Sequence, residues 1–307
     1  STCRNKKRVF TGQVVNFNRV FLNKRNFDAD IGDWDMSSAV VTAEMFKGAR
    51  NFNQDISGWD TSNARSFSTM FAHAYAFNQD IGSWDVSNVI NMQLMFWGAS
   101  SFNQDIGGWD VSNVTTMEGM FESTPFNQDI GDWDLSSVND LSKMFKQNNN
   151  FNQDISGWNI SAATNILAMF VNATNFNQDI GSWDVSNVTT MLELFQGASN
   201  FNQDISDWDV SSVYNMNNMF LNANGLSDEN KCAIHLSFSS NDAWPYDWYG
   251  LCVFTPITQD NIHEAVDLWV SNQAEAEVTY GHISDWDVSN VMDMSELFYN
   301  AQSFDSD

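Results

Sequence analysis

Aspartate is the residue of this chain whose abundance and spacing could do chemistry. The 307 residues include 39 acidic side chains and only 13 Lys and Arg. Many aspartates recur at a fixed spacing, in a first column of Asp55, Asp80, Asp105, Asp129, Asp154, Asp179 and Asp204 and a second of Asp60, Asp85, Asp110, Asp134, Asp184 and Asp209. Carboxylate oxygens are ligands that Ca²⁺ takes in numbers of about six to eight. Ca²⁺ bridging of at least one column is therefore one interpretation, and no other cofactor is required.

Stacking of these carboxylates has a cost. At roughly 5 Å, two of them repel by on the order of 3 kcal/mol at an effective dielectric constant near 20. Each column must therefore splay into solvent, accept hydrogen bonds from backbone and Ser groups, or share cations. The capped turn is the interpretation that needs no ligand, because Asp side chains readily close such turns.

The sequence lacks the singular motifs of an enzyme. Four His are scattered, and His263-Glu264 is not part of an H-E-x-x-H motif. The chain contains no G-x-S-x-G, P-loop or G-x-G-x-x-G motif. A carboxylate that recurs in every unit is a scaffold feature rather than an active site. We therefore expect the protein not to be an enzyme.

A repeat of about 25 residues positions the aspartates. FNQDIGSWDVSNVINMQLMF begins at Phe77 and FNQDIGGWDVSNVTTMEGMF at Phe102, and one 24-residue unit precedes Phe126. One such unit cannot bury its apolar face alone, whereas stacked copies form a continuous core. The repetition therefore predicts a solenoid.

Each unit has two halves with different apolar periods. The first half has the L-x-x-L-x-L spacing of a leucine-rich-repeat strand, at Ile81, Trp84, Val86 and Val89. The second half has a single apolar helical stripe, at Met92, Met95, Phe96 and Ala99. We predict an α/β, leucine-rich-repeat-like solenoid of strand–short helix units, with a strand at Ser83–Val86. Trp84 should lie inside with its indole N–H bonded, and Asp85 should face outward.

Interruptions of the repeat divide the chain. We predict a basic N-terminal segment over 1–19, a solenoid of about eight units over 20–223, an irregular Cys- and aromatic-rich insert over 224–282, and the start of a second repeat block over 283–307. A helix is predicted over 258–280, capped by Asp260, with an apolar face of Ile262, Ala265, Val266, Trp269 and Val270. Because the pattern stops within a repeat, we expect the chain to be a segment of a longer protein.

The pattern FNQDIGSWDVSNVTTM…LF resembles the DUF285 repeat of BspA-like leucine-rich surface proteins. Such proteins occur in bacteria and as extracellular proteins of marine microalgae. The resemblance covers roughly residues 20–223 and 283–307, and the segment containing His282 is similar to those that restart the repeats in algal members. It implies an extracellular or cell-surface location, with roles in adhesion or matrix formation.

The distribution of charge limits the classes of partner that the chain is expected to bind. Residues 1–25 contain seven Lys and Arg and no acid, so six basic and 39 acidic residues remain, a formal charge of −33. Such a surface repels nucleic acid and anionic membranes. The basic start could bind phosphate or a headgroup, or be an ordinary terminal segment. No apolar run reaches transmembrane length, so no membrane insertion is expected. The remaining partners are proteins, copies of this chain on the cell surface, or a glycan.

Two covalent modifications are predicted. Cys232 and Cys252 share the non-repetitive stretch, which predicts a disulfide between them and leaves Cys3 free or paired elsewhere. Four sequons for N-glycosylation occur, at Asn113, Asn159, Asn172 and Asn187. They fit a secreted eukaryotic protein, or are an accident of an Asn-rich repeat.

Two functions stay open. The first is a structural role in a filament, sheath or matrix, and the alternative is an adhesin that recognises a glycan or protein. Recognition surfaces normally diversify, whereas the outward positions Asp85, Asp110 and Asp184 do not change between units. This uniformity favours assembly.

Overall fold

A computed structural model describes residues 11–299, which form two compact units. One unit comprises residues 11–227 together with 241–245, and the other comprises 228–240 together with 246–299. The repeat geometry extends into the segment 1–19, since Asn16 already pairs with Val41.

The repeats are built from turns joined by single bridges, so the prediction of an α/β strand–helix solenoid is wrong. Within the described residues, no helix begins before Asp228 and no strand longer than one bridging residue forms. The parallel bridges join consecutive units through Asn16, Val41, Ser66, Asn91, Thr116, Asp140, Asn165, Thr190 and Asn215. The structure is therefore a coil of tight turns with one bridging position per unit.

The predicted strand at Ser83–Val86 fails because this stretch closes turns on itself. The amide of Trp84 donates to the carbonyl of Ile81 at 3.1 Å, and the amide of Val89 donates to that of Val86 at 2.8 Å. The bridge to the neighbouring units lies later, at Asn91. The three-residue steps of the L-x-x-L-x-L pattern, from Ile81 to Trp84 and from Val86 to Val89, therefore each close a turn.

The predicted helical half fails because two of its residues are left-handed. Leu94 and Gly98 have φ of +54° and +67°, whereas an α-helix requires φ near about −63° throughout. The amides of Leu94 and Phe96 donate to Glu118 and Met120 of the next unit, at 2.7 and 3.1 Å. The intervening Met95 amide closes a turn on Met92. Bonds to the next unit therefore replace those that would run along a helix.

The apolar stripe nevertheless lies inside, as predicted. The side chains of Met92, Met95, Phe96 and Ala99 are all fully buried. The ring of Phe96 lies 5.8 Å from that of Phe71 and 5.9 Å from that of Phe121, in the preceding and following units. It also stacks at 3.8 Å on Phe102. Two columns of Phe thus run along the solenoid as its core.

The Trp residues form a third buried column. The rings of Trp59 and Trp84 lie 6.2 Å apart, and each indole N–H donates to an Ile carbonyl of the preceding unit. For Trp84 the acceptor is Ile56, at 3.1 Å. The prediction of an interior Trp84 with a bonded indole is confirmed. Asp85 is exposed, also as predicted.

The second compact unit, residues 228–240 and 246–299, is helical. It contains α1 (Asp228–Phe238), α2 (Ile262–Ser271) and α3 (Gln273–Tyr280), with 3₁₀ turns at Tyr249–Leu251 and Ile283–Asp285. The single helix predicted over 258–280 is wrong, because Asn272 adopts φ −153° and separates α2 from α3.

The cap and one face residue of that helix also differ from the prediction. Asn261, rather than Asp260, precedes α2. Ile262, Ala265, Val266 and Trp269 are buried, but Val270 is 38% exposed. Val270 therefore does not belong to the apolar face of α2.

Candidate functional site

Each aspartate of the second column closes a turn at the solenoid surface. Asp85 Oδ1 accepts the amide of Ser87 at 3.0 Å and its hydroxyl at 2.6 Å. The same pair of bonds occurs at Asp60, Asp110 and Asp184, and the amide bond also occurs at Asp134 and Asp209. All of these aspartates are exposed.

The first column has the same arrangement with a different donor. Asp80 Oδ1 accepts the amide of Gly82 at 3.0 Å. The bond recurs at Asp105, Asp129 and Asp179, while Asp55, Asp154 and Asp204 accept the amide of a Ser. Both columns are thus rows of side-chain-capped turns, one of the arrangements left open by the sequence.

The turn needs an oxygen acceptor rather than a charge. Asn159 occupies the second column where its neighbouring units have Asp, and its Oδ1 accepts the amide and hydroxyl of Ser161 at 3.1 and 2.7 Å. Where Asp is present, the Ser donors favour the ionised form. The Ser87 hydroxyl and amide hold the pKa of Asp85 below its ordinary value.

The columns do not gather into a cluster with several ligands. Among residues 11–299, no group of three or more His, Cys, Asp and Glu side chains is arranged to hold a metal ion. Calcium binding by either column stays a prediction.

Asn and Gln side chains clamp consecutive units together, a role that the sequence analysis missed. Asn53 Oδ1 accepts the amide of Asn78 at 2.9 Å, and Gln79 Nε2 donates to the carbonyl of Asn53 at 2.9 Å. On another side, Asn88 Nδ2 donates to the carbonyl of Ser62 at 2.9 Å. The signal was the recurrence of N-Q in nearly every repeat and of S-N in half of them, which marks the side chains that join one repeat to the next.

All four sequon asparagines are exposed. Asn113 and Asn187 use their amide nitrogen in the clamp, donating to Ser87 and Ser161 at 2.9 and 2.8 Å. Asn159 closes the turn described above, and Asn172 has φ +56°. Glycosylation at these positions stays a prediction.

A polar groove interrupts the solenoid beside the 24-residue unit. In three repeats, the residue before the leading Phe donates its amide to the preceding repeat, as Asn51 does to Arg25 at 3.0 Å. Pro125 occupies this position and has no N–H. The groove at this position has a volume of about 550 Å³ and is lined by uncharged side chains, those of Ser100, Ser123, Thr124, Pro125, Gln147, Asn149, Asn150 and Asn172.

In the second unit, Cys232 forms a disulfide with Cys252, with the Cα atoms 5.0 Å apart. Cys3 lies outside the described residues. Across residues 11–299, none of the helices combines the length and apolar character that a membrane span requires.

Comparison with known proteins identifies a family. The model of the family described as "Mycoplasma protein of unknown function, DUF285" matches residues 5–107, 78–173, 139–233 and 268–307. The first three matches overlap and follow the repeats of the solenoid, and the fourth lies apart from them. No curated protein and no solved structure matches the chain.

Proposed function

This chain belongs to the DUF285 family, and we propose that it is a non-enzymatic structural module of an extracellular or cell-surface assembly. The observation that carries the proposal is the uniformity of the solenoid surface. The recurring polar side chains are engaged in turns and clamps, as Asp85 and Asn88 are. A surface whose polar groups stabilise its own stacking suits a rigid spacer better than a diversified recognition face.

The disulfide supports the extracellular part of the proposal. Disulfides persist in oxidising compartments and are rare in the cytosol. The bond between Cys232 and Cys252 closes a loop in the helical unit, where it would restrain a segment without the repeated core. The negative charge of the chain, −26 overall, disfavours binding to nucleic acid or anionic membranes.

Electron microscopy tests the structural role. Native protein released from the cell surface would be imaged by negative stain with calcium and then with a chelator. Regular polymers are the expected result, and isolated rods under both conditions would contradict it. Polymers that survive chelation would support assembly and would show that calcium does not hold the polymers together.

The polar groove favours a second candidate, an adhesin that binds a neutral glycan. Its lining offers hydroxyl and carboxamide groups and no charge, on a chain that is otherwise strongly acidic. Titration with neutral hexose oligosaccharides, monitored by NMR, tests this function. Gln147→Ala should weaken the binding, because Gln147 lines the groove. Asn222→Ala is the matched control, because Asn222 occupies the same position in the repeat away from the groove, also at positive φ. Binding that both variants retain would contradict a site in the groove.

A further inference from the structure

One edge of the solenoid changes its side chains from repeat to repeat, unlike the turns and clamps. Its backbone is regular, because the carbonyl at this position accepts an amide of the preceding repeat, as that of Trp97 does from His73 at 2.7 Å. The residues at this position are Lys47, Ala72, Trp97, Glu122, Lys146, Val171, Gln196 and Leu221. Three residues later, the side chain likewise changes from Arg50 to Tyr75 to Ser100. This edge therefore has the diversity that a recognition surface needs and that the Asp columns lack.

Five side chains of this edge form a cationic and aromatic patch. The Cζ atom of Arg50 lies 5.1 Å from the centroid of the Tyr75 ring. The His73 ring lies 5.9 Å from that of Tyr75, edge-on, and 4.3 Å from that of Trp97. Lys47 lies three residues before Arg50 in the same repeat. We refer to Lys47, Arg50, His73, Tyr75 and Trp97 as the Arg50 patch, which spans three consecutive repeats.

A glycine makes room for the imidazole at the centre of the patch. His73 and Gly98 occupy the same position in consecutive repeats, at φ of +56° and +67°. A Cβ atom added at Gly98 would lie 2.5 Å from His73 Nδ1, closer than atoms can approach. The ring can therefore lie between Tyr75 and Trp97 only because residue 98 has no side chain.

The cations of the patch are not neutralised by acids. Arg50 is exposed, and its guanidinium neither pairs with a carboxylate nor donates a hydrogen bond within the described residues. Its contact with Tyr75 uses the face of the ring, so the N–H donors stay available to an external acceptor. Lys47 shares Glu44 with Arg19, at 3.3 and 2.7 Å. Two cations therefore face one carboxylate at this end of the patch.

This positive charge contrasts with the rest of the chain. Only six Lys and Arg occur after residue 25, against 39 Asp and Glu, and two of the six are Lys47 and Arg50. Their field reaches His73, whose pKa is held below its ordinary value first by burial and then by Lys47 and Arg50. A local excess of positive charge attracts anions. The patch is therefore suited to an anionic ligand.

The aromatic side chains indicate which kind of anion fits. Tyr75 is 39% exposed and Trp97 is partly exposed. The hydroxyl of Tyr75 and the indole N–H of Trp97 donate to no described residue. Aromatic rings pack against the apolar C–H face of a sugar, and a guanidinium binds a planar anionic group through two parallel hydrogen bonds. A sugar with an anionic group would use all of these features, whereas an acidic peptide needs only the cations.

We propose that the Arg50 patch binds an acidic saccharide, whose ring stacks on the aromatic side chains while its carboxylate or sulfate group bonds Arg50. Three repeats span about 10 Å along the solenoid, which leaves room for a short oligosaccharide. The site differs from the uncharged groove in its residues and in the charge of its ligand. It goes beyond the structural role and does not depend on it.

Saturation-transfer difference NMR on the full chain tests the site with galactose trisaccharides that are neutral, oxidised to the uronate, or sulfated. The two acidic probes distinguish a carboxylate from a sulfate ligand. The wild type should bind at least one of them about tenfold more tightly than the neutral probe, and added salt should weaken this binding. Arg50→Ser should abolish the preference. Arg65→Ser is the matched control, because it removes the same charge from an exposed position outside the patch.

Trp97→Ala tests the aromatic part of the site at unchanged charge. It should weaken binding of the acidic probe by about tenfold, the effect of losing an aromatic stacking contact. Tyr214→Ala is the control, because it removes an aromatic ring that is 71% exposed elsewhere on the solenoid. Far-UV circular dichroism checks folding, and Tyr75→Ala replaces Trp97→Ala if that variant does not fold.

Each contrary outcome overturns the proposal in a recognisable way. Equal binding of neutral and acidic probes, or no binding of either acidic probe at low millimolar concentration, would exclude an acidic saccharide. Binding of oligoglutamate that Arg50→Ser removes and Trp97→Ala leaves intact would assign the patch to an acidic protein surface instead. Self-association that Arg50→Ser abolishes in sedimentation velocity would make that surface a second copy of this chain. The structural role is tested separately by the micrographs of native protein, so either proposal can fail without the other.

Discussion

The Phe columns should carry much of the stability of the solenoid, and Phe96→Ala tests this. Phe96 is fully buried between Phe71 and Phe121 at 5.8 and 5.9 Å and stacks on Phe102 at 3.8 Å. Truncation removes a ring from the middle of a continuous stack, and the neighbouring rings cannot close the space without leaving the repeat spacing.

The expected loss of unfolding free energy is about 3–5 kcal/mol, the range for removing a buried aromatic side chain. The upper part of the range is expected here, because aromatic pairs contribute about 0.5–1.5 kcal/mol beyond their buried area. Urea unfolding followed by Trp fluorescence and far-UV circular dichroism measures the change.

Ile90→Ala is the control within the same repeat. Ile90 is 48% exposed, so its truncation should change the unfolding free energy by about 0.5 kcal/mol or less. Phe298→Ala is the control matched for repeat position, and its 40% exposure predicts a much smaller loss than at Phe96. A loss below about 1 kcal/mol for Phe96→Ala, or equal losses for Phe96→Ala and Ile90→Ala, would refute the assignment of the core to the Phe columns.

Three further predictions concern the turns and the disulfide. Asp85→Ala should destabilise the solenoid by about 1 kcal/mol through loss of the bonds from Ser87, while Asp85→Asn should preserve the turn as Asn159 does; thermal melts of the pair decide this. The Ser87 donors hold the pKa of Asp85 below its ordinary value of 3.8, so this stabilisation is present above that pH and is lost as the pH falls through the lower folded-state value. A melting temperature that fails to fall on acidification below pH 3.8, relative to Asp85→Asn, would contradict it. Replacing Cys232 and Cys252 by Ser should destabilise the helical unit by about 3 kcal/mol, as differential scanning calorimetry can show.

Sequence periodicity located the buried residues but not the backbone that buries them. The spacing of Met92, Met95, Phe96 and Ala99 correctly placed all four inside. The same spacing fits both an α-helix and a series of three-residue turns, because both return side chains to one face after three or four residues. The deciding feature was the left-handed conformation at Leu94, which no propensity of a Leu residue indicates. Stacking against the next repeat imposes it, by directing the Leu94 amide to Glu118.

The polar interactions at the surface could be predicted from the sequence only in part. A capped turn at each Asp of the second column followed from the Ser two residues later, since D-x-S is a local pattern. The Asn and Gln clamps were missed because they join residues 25 or 26 positions apart, as Asn53 joins Asn78 and Gln79. Their partners become neighbours only once the pitch of the coil is known. The groove depends on the same long-range register, since the loss of one residue before Phe126 matters only against the adjacent units.

A stack of similar repeats has no intrinsic end, because each repeat can pack against another. A segment of different sequence must therefore cover the last repeat. The last repeat of the solenoid is covered by residues 241–245 of the same unit. Asn241 Nδ2 donates to the carbonyls of Val210 and Val213 at 2.7 and 2.9 Å, and the ring of Trp244 meets that of Phe220 at 6.3 Å. These side chains take the place of a further repeat and bury the end of the Phe and Met columns.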